Sequence, residues 1–371
     1  MSALRSVLFV HPALAFSSGT ERLRCATEHL VARGVQVTIL AGDGARADEL
    51  RATGADILPG EPPTAGLRGW FVAGRARRLA QTVKADLVHV TSETLAPLAA
   101  RIGRPYVLEI ERTVRKPLAW HPLHLRAAIL PCRTLEESAV NRGTLPRERL
   151  RVLRHNPELE PPSTAAGVTR PEQRETKLHG GSQVEAEPPR VGCAGYLTPD
   201  FGARIFLDAA SHLIARGVEG RFLILGEGPE EEALRRRTRE LAITDRVTIT
   251  APAAPSTADV LAQLDLFACA RLDGAPGWFA HQALGLGLPC VVSSIQGAFE
   301  LVRDGEDGLL VERGDAAGLA EALEGLMSDP TRARNLGLAA RTRRLAAARQ
   351  DPPFGEALDA LYTAVLEGAA V

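Results

Sequence analysis

The sequence predicts an α/β protein with two domains, each a parallel β-sheet flanked by helices. Short apolar segments alternate with helix-length segments along most of the chain, which is typical of repeated β-α-β units. The 371 residues are too many for one ordinary core and suit two domains of roughly 170 residues. Residues 160–189 are rich in Pro, Gly and charge but have no hydrophobic period, as expected of a linker.

The composition restricts the classes of function. Hydrophobic residues make up 45% and charged residues 24% of the chain, as in soluble globular proteins. The 44 basic and 45 acidic residues nearly balance, so no nucleic-acid partner is expected. The five cysteines show no CxxC spacing, which indicates buried thiols in a reducing cytoplasm rather than zinc ligands. No apolar stretch reaches the roughly 18 residues of a membrane span, so we expect a soluble, cytoplasmic protein.

The first domain opens with a β-α-β unit. A strand at residues 6–10 leads through a small-residue loop containing Gly19 to a helix at residues 21–33. Gly34 ends this helix, and the next strand spans residues 35–40. The loop brings backbone N–H groups to the positive end of a helix, which suits an anionic ligand. An ordinary structural turn is the alternative interpretation.

Residues 67–82 have the length of a helix and combine Trp70 and Phe71 with four arginines. A basic amphipathic helix with an aromatic anchor can rest on an anionic membrane surface. Peripheral contact with the inner face of the membrane is therefore one interpretation of this segment. An ordinary surface helix between two strands is the other.

Two carboxylates end a strand predicted in the first domain. Glu109 and Glu111 are two positions apart and therefore point to the same face of this strand. Like charges side by side raise the pKa of one carboxyl group, which suits acid/base work or the binding of a hydroxyl group. Pairing with Arg112 or Arg115 is the structural alternative. His89, at the end of a neighbouring strand, is either a cleft residue or a core histidine.

The second domain is organised around residues 264–310. A short apolar strand, a Gly/Pro loop at residues 273–277, a small-residue helix and a second strand at residues 290–293 form one unit of a parallel sheet. The loop lies where such sheets bind ligands. An earlier apolar strand ends in the pair Gly226 and Gly228 before a charged helix, a turn that supports nucleotide binding.

Several segments of the second domain resemble a known family. The matching segments are Gln282-Ala283, Gly287-Leu288-Pro289-Cys290-Val291-Val292, residues 296–302 and residues 304–311. They are similar to the donor-binding motifs of the family 4 retaining glycosyltransferases of the GT-B fold. The resemblance implies two Rossmann-like domains whose parallel sheets face each other across a cleft.

The resemblance also implies a division of roles along the chain. Residues 1–159 would form the acceptor-side domain, residues 160–189 a flexible linker or insertion, and residues 190–352 the nucleotide-sugar-binding domain. Residues 353–371 would form a C-terminal helix that packs back toward the first domain. The donor would be a nucleotide diphosphate sugar, with no metal and no cofactor. The acceptor would be a small molecule, a glycan or a lipid-linked compound, and a partner transferase subunit is a further expectation.

The resemblance assigns donor-binding roles residue by residue. The candidates are Gly19, Gly195, Tyr196, Gly226, Gly228, Arg271, Gly277, Trp278 and Gln282. Relatives carry Arg, Lys, Glu and Glu where this chain has Tyr196, Phe201, Gly274 and Gln282. Arg204 and Arg271 are then the candidate substitute cations for the diphosphate. Asp273, beside Gly274, replaces the glutamate that contacts the sugar if the loop is shifted by one residue. Trp278 either stacks on a ring or fills the wall of the cleft.

Two functions of different classes remain open. The first is an active, metal-independent and retaining transferase, with Glu109, Glu111 and Asp273 as its catalytic residues. The second is a non-catalytic pseudo-glycosyltransferase that binds a ligand or partners an active transferase. The intact pattern of Gly and Pro around the loop supports the fold in both cases.

Overall fold

The structure is a computed structural model that describes residues 4–59, 67–157, 187–252 and 256–367. It contains two compact units. Unit 1 comprises Met1–Pro157 and Pro352–Val371, and unit 2 comprises Glu158–Asp351. Most of the linker predicted at residues 160–189 lies outside the described residues.

Strands and helices alternate as the sequence predicts. The strands are β1 (Ser6–Ala13), β2 (Gln36–Gly42), β3 (Asp56–Pro59), β4 (Leu87–Val90), β5 (Tyr106–Glu109), β6 (Leu125–Leu130), β7 (Leu150–Val152), β8 (Arg190–Ala194), β9 (Arg221–Leu225), β10 (Val247–Thr250), β11 (Leu266–Cys269), β12 (Cys290–Ser293) and β13 (Leu309–Val311). The helices are α1 (Ser18–Ala32), α2 (Ala47–Ala52), α3 (Leu67–Thr82), α4 (Ala96–Ile102), α5 (Arg133–Asn141), α6 (Ala203–Ala215), α7 (Glu231–Glu240), α8 (Thr257–Leu261), α9 (Trp278–Leu286), α10 (Ala298–Leu301), α11 (Ala316–Ser328), α12 (Pro330–Ala348) and α13 (Phe354–Leu366).

Unit 1 contains a seven-stranded sheet in the order β3-β2-β1-β4-β5-β6-β7, with neighbouring strands parallel. The inner strand β1 carries Val7, Leu8, Phe9 and Val10, each at most 1% exposed. Such continuous burial is expected of a parallel sheet that is covered on both faces. The chain runs from β1 to β2 on one side and returns to β4 on the other. The carboxyl ends of β1 and β4 therefore flank a topological switch point, where such sheets bind ligands.

Helix α13 completes unit 1 by packing against α1. Asp359 of α13 forms an ion pair with Arg33, and His29 Nε2 lies 3.5 Å from the same carboxylate. Gly355 marks the close approach of the two helices, because a Cβ added there would lie 2.7 Å from the His29 Cβ and 2.9 Å from the Cys25 carbonyl oxygen. Unit 1 is thus built from two segments that are far apart in the sequence.

Unit 2 contains a six-stranded parallel sheet in the order β10-β9-β8-β11-β12-β13. Its core lies between the sheet and α6, α7, α11 and α12, and includes Phe206 and Phe222, whose rings meet edge to face at 6.2 Å. The switch point of this sheet lies between β8 and β11. The predicted α/β class with two parallel-sheet domains is confirmed.

The predicted helix at residues 67–82 is confirmed as α3 (Leu67–Thr82). The side chains of Trp70 and Phe71, on which the membrane-contact interpretation depends, lie outside the part that the structure describes. Among the described residues, no helix has both the length and the apolar character needed to cross a bilayer.

Candidate functional site

The carboxyl ends of β1 and β4 in unit 1 are joined by a buried histidine. His11 Nδ1 lies 2.6 Å from the Thr91 hydroxyl, just after β4, and His11 Nε2 lies 3.2 Å from the Thr20 hydroxyl in the first turn of α1. Ser17 caps α1 by accepting from the Thr20 N–H at 3.0 Å. Gly19 belongs to the same turn, since a Cβ there would lie 3.1 Å from the His11 ring.

Burial lowers the pKa of His11 to about 4, although the negative charge of Glu109 opposes the shift. The imidazole is therefore neutral at pH 7. A neutral ring offers one N–H donor and one acceptor, which matches the two hydroxyl groups on either side of it. His11 links the two strand ends as a structural hydrogen-bonding group.

Arg22, in the second turn of α1, binds both candidate carboxylates. Its Nε and Nη2 lie 3.1 and 2.6 Å from Glu109 Oε2, and it also forms an ion pair with Glu111. The Arg22 side chain is 1% exposed and that of Glu109 is 6% exposed, whereas that of Glu111 is 27% exposed. An arginine held between two carboxylates in a buried site satisfies charges that would otherwise be costly to bury.

The alternative that pairs the two carboxylates with Arg112 or Arg115 is corrected. Arg22 is the partner, not Arg112 or Arg115, and Arg112 Nε instead lies 2.9 Å from Glu93. Burial alone would raise the pKa of Glu109, but Arg22 and His89 outweigh burial, so this pKa lies below its ordinary value. Arg22 is 87 positions from Glu109, so it is not among the charges that are close to the two carboxylates in sequence.

The strand that carries the two carboxylates is also shorter than predicted, since β5 ends at Glu109. The Glu111 N–H turns to the Glu93 carboxylate at 3.4 Å, so Glu111 lies beyond the ladder. This turn places Glu111 nearer to solvent than Glu109. The two carboxylates therefore meet through Arg22 and not as neighbours on one strand face.

His89 lies in the core and contacts Glu109 from the side opposite Arg22. His89 is fully buried, with Nε2 3.0 Å from Glu109 Oε1 and Nδ1 in contact with the Tyr362 hydroxyl of α13. Burial, followed by the charge of Glu109, raises the pKa of Tyr362, so the phenol is neutral. Of the two interpretations of His89, the core histidine is confirmed.

In unit 2, the candidate glycines bring backbone against backbone beside the β8–β11 switch point. A Cβ on Gly226 would lie 2.0 Å from the Gly195 carbonyl oxygen, and one on Gly228 would lie 2.7 Å from the Leu197 nitrogen. Real side chains cannot occupy such distances, so both positions require glycine. Tyr196 lies between these contacts and is 36% exposed.

Phe201, which replaces the usual lysine, points into the core of unit 2. It is 7% exposed, and its ring would lie 2.7 Å from a Cβ on Gly195. The following residue, Gly202, has φ +81°, and a Cβ there would lie 1.8 Å from the Ala270 carbonyl oxygen. The loops after β8 and β11 thus pack closely at Gly202, and the ring of Phe201 lies in the core beside them.

Arg271 is the cation that the structure places at the end of β11. Its Nη2 lies 3.4 Å from Asp200 Oδ2, and the Asp200 carbonyl accepts from the Leu272 N–H at 2.9 Å. The Arg271 side chain is 17% exposed, and its buried Nε has no hydrogen-bond partner among the described residues. Arg271 therefore retains an unused donor.

The loop at residues 273–277 connects β11 to α9. Asp273 Oδ1 accepts from the Gly274 N–H at 2.8 Å, and Gly277 precedes α9 with φ +86°. Trp278 is fully buried, so in this structure its ring is enclosed by protein. Gln282 is 9% exposed, and its Oε1 is buried without a hydrogen-bond partner in the described parts of the chain.

Sequence reasoning identified Glu109 and Glu111 but missed Arg22, which holds them. A signal was present, because Arg22 lies on the buried stripe of α1 with Ala26 and Leu30, where an unpaired arginine would be costly. Tyr362 was also missed. The roles assigned to Asp273, Trp278 and the donor-site glycines remain predictions. Among the described residues, no group of three or more His, Cys, Asp or Glu side chains could hold a metal.

Two family models match the chain, one in each unit. Residues 23–154 match the model described as Glycosyltransferase Family 4, and residues 188–329 match the model described as Glycosyl transferases group 1. Together they cover well over half of the chain.

Curated relatives align over shorter stretches. The D-inositol 3-phosphate glycosyltransferase of Rhodococcus erythropolis (strain PR4 / NBRC 100887) is 35% identical over 155 residues, which are 39% of this chain and 35% of that protein. The N-acetyl-alpha-D-glucosaminyl L-malate synthase of Bacillus anthracis is 30% identical over 128 residues, which are 34% of this chain and 33% of that protein. The chain thus spans about a third of the length of these relatives.

Solved structures resemble nearly the whole chain. Anabaena Alr3699/HepE in complex with UDP and glucose has a TM-score of 0.72 at 17% identity, over 97% of this chain and 100% of that chain. Sucrose-phosphate synthase (tll1590) from Thermosynechococcus elongatus has a TM-score of 0.71 at 16% identity, over 98% and 100%. At these identities the likeness shows the fold, and the predicted GT-B class is confirmed. The chain therefore belongs to the family 4 glycosyltransferases of the GT-B fold.

Proposed function

We propose that this protein transfers a sugar from a nucleotide diphosphate sugar to a hydroxyl group of an acceptor, without a metal ion and with retention of configuration at the anomeric carbon. The names of the aligned relatives, which are sugar-transferring enzymes, support the reaction class. The resemblance of the donor-binding motifs to a retaining family supports the stereochemistry.

The observation that carries the proposal is a pair of unused polar atoms on either side of one loop. Arg271 Nε, before the loop at residues 273–277, and Gln282 Oε1, after it, are both buried without a hydrogen-bond partner among the described residues. Buried polar atoms are usually paired, and these two lie on either side of a loop at the carboxyl edge of a parallel sheet, where such sheets bind ligands. A cationic donor and an amide acceptor suit a ligand that carries both phosphate and hydroxyl groups.

The position of Arg271 suits the charge that develops when a nucleotide diphosphate departs. The departing nucleotide diphosphate gains negative charge in the transition state, and a cation held nearby stabilises that charge by roughly 3 kcal/mol or more. Arg271 supplies a cation at the carboxyl end of β11, and the first N–H groups of α9 supply further donors. In unit 1, Glu111 offers an acceptor for a hydroxyl group.

Thermal unfolding with UDP, GDP, UDP-glucose and GDP-mannose tests donor binding. A nucleotide at 100 times its dissociation constant should stabilise the protein by about 2.7 kcal/mol. Arg271→Met should weaken this binding more than about tenfold, since one charge-assisted hydrogen bond is removed. Arg237→Met is the matched control, because Arg237 pairs with Asp208 at 2.8 Å between two helices of unit 2.

Release of the free nucleoside diphosphate from the sugar that binds tests turnover, and NMR of the product gives its anomeric configuration. Failure of all four nucleotides to bind would contradict the proposal. If a nucleotide sugar binds but no nucleoside diphosphate is released with any acceptor tested, the non-catalytic alternative is favoured. An inverted product would contradict the proposed stereochemistry.

A further inference from the structure

Five side chains of unit 1 form a continuous polar chain from α13 to the surface. The Tyr362 chain consists of Tyr362, His89, Glu109, Arg22 and Glu111, in this order of contact. Tyr362 and His89 are fully buried, and the chain becomes partly exposed at Glu111. Its inner end is supplied by α13, which follows unit 2 in the sequence.

The contacts at the inner end favour one arrangement of the protons. A carboxylate has acceptors only, so a hydrogen on His89 Nε2, 3.0 Å from Glu109 Oε1, avoids repulsion between the two atoms. With that hydrogen on Nε2, Nδ1 can accept from the Tyr362 O–H. The phenol of Tyr362 thus selects the tautomer of His89 that can donate to Glu109.

The contacts continue from Glu109 to Arg22 and Glu111. Glu109 uses one oxygen for His89 and the other for Arg22 Nε and Nη2. Glu109 thereby holds the Nε and Nη2 edge of the planar Arg22 guanidinium, which orients Arg22 toward Glu111. Glu111 is the most exposed of the five side chains, so it is the member that a ligand can reach.

We propose that Tyr362 is a positioning residue that acts through His89, Glu109 and Arg22 to hold the Glu111 carboxylate as an acceptor for a substrate hydroxyl group. This inference rests on the proposed glycosyl transfer and specifies one group in it. The substrate bears a hydroxyl group, not a carboxylate or phosphate, where it meets Glu111, because a second anion there would be repelled.

A double-mutant cycle of Tyr362→Phe and Glu111→Gln tests the transmission without any substrate. If the chain links the two residues, the effect of the double variant on the urea unfolding constant differs more than about threefold from the product of the single effects. Tyr106→Phe is the matched control. Tyr106 is also a fully buried phenol of unit 1, but its oxygen accepts from the His121 N–H at 3.3 Å, outside the Tyr362 chain. Independent effects of Tyr362→Phe and Glu111→Gln would overturn the proposal.

The ¹⁵N spectrum of histidine-labelled protein provides a signature that a merely structural role would not change. We expect the Nδ1 resonance of His89, assigned with His89→Gln, to shift in Tyr362→Phe and to stay in place in Tyr106→Phe. An unchanged resonance in Tyr362→Phe would contradict the assigned contact. If Tyr362→Phe does not fold, His89→Gln replaces it in the cycle.

Kinetics with UDP-glucose or GDP-mannose, whichever turns over, completes the test. Tyr362→Phe should lower kcat about tenfold or more, with KM for the nucleotide sugar little changed. A misplaced Glu111 carboxylate lowers the rate of the chemical step more than it weakens substrate binding. Tyr362→Phe/Glu111→Gln should be no slower than Glu111→Gln alone. A further loss in the double variant would contradict action through Glu111. If Tyr362→Phe and Glu111→Gln are coupled in urea unfolding but the protein turns over no nucleotide sugar, the Tyr362 chain is supported and the proposed transfer is contradicted.

Discussion

The carboxyl edges of the two sheets are built in opposite ways. In unit 1 the edge consists of buried charged and polar side chains, with His11, Arg22, His89 and Glu109 each at most 4% exposed. In unit 2 the same edge is closed where backbone packs on backbone, as at Gly202, and its ion pair of Arg271 and Asp200 is partly exposed. The stability of unit 1 should therefore depend most on its buried charges, and that of unit 2 on the absence of a Cβ atom at its closely packed glycines.

The largest effect is expected from Arg22→Met. Removing the cation leaves Glu109 buried beside Glu111 without its main partner, which should lower the free energy of unfolding by about 3–5 kcal/mol. Arg51→Met is the control in unit 1, because Arg51 is 49% exposed and its partner Asp48 is 95% exposed, so their ion pair faces solvent. Urea unfolding measures both, and equal losses would remove the contrast between buried and exposed charge in unit 1.

Gly202→Ala should cost nearly as much in unit 2. The new Cβ would combine a strained φ of +81° with a contact 1.8 Å from the Ala270 carbonyl oxygen, for a loss of about 3–4 kcal/mol. Gly217→Ala isolates the strain, since Gly217 has φ +77° and open space around it, and should cost about 1 kcal/mol. If the two variants unfold at the same urea concentration, the close packing of the loops is not what requires glycine at 202.

The pH dependence of unfolding should contain a contribution from His11. Its pKa of about 4 in the folded state lies below its ordinary 6.5, so the unfolded state binds the proton more tightly. The stability from neutral His11 is present above pH 6.5 and is lost as the pH falls from 6.5 to 4, by up to about 3 kcal/mol.

His11→Gln keeps hydrogen-bonding groups but does not titrate. As the pH decreases, the unfolding free energy of His11→Gln should fall less steeply than that of the wild type. The two slopes should differ by about 1.4 kcal/mol per pH unit near pH 5. Parallel curves for the two proteins would show that His11 does not titrate differently in the folded and unfolded states.

The smallest effect is expected from a charge on the surface of unit 2. Arg216 and Glu324 form an ion pair of 2.7 Å, but their side chains are 40% and 33% exposed. Arg216→Ala should change the unfolding free energy by less than about 1 kcal/mol, and by less still in high salt. A loss as large as that of Arg22→Met would show that the two units do not differ in their dependence on charge.

Local pattern was enough to predict the strands, the loops at their ends and the carboxylates Glu109 and Glu111. It was not enough to predict what surrounds them. Arg22 and Glu109 are 87 positions apart, and His89 and Tyr362 are 273 apart, so no periodicity connects them. Periodicity reports which face of an element is buried, whereas the partner across the core is chosen by the topology of the sheet.

The donor side shows a second limit. The sequence indicated Arg271 as a cation near the loop, and the structure places it at the end of β11. Its contact with Asp200 depends on the register of β8 and β11, which residue types alone do not specify. The burial of Phe201 and the close approach at Gly202 likewise become visible only when both loops are in place.

The assembly of unit 1 from two distant segments has a consequence for synthesis on the ribosome. His89 and Glu109 emerge early, but Tyr362 emerges only after the whole of unit 2, roughly 10–40 s after Pro157 at usual rates of translation. Throughout that interval a nascent unit 1 has His89 without its phenol and α1 without the helix that covers it. The domain that is translated first is therefore the last to reach its finished form.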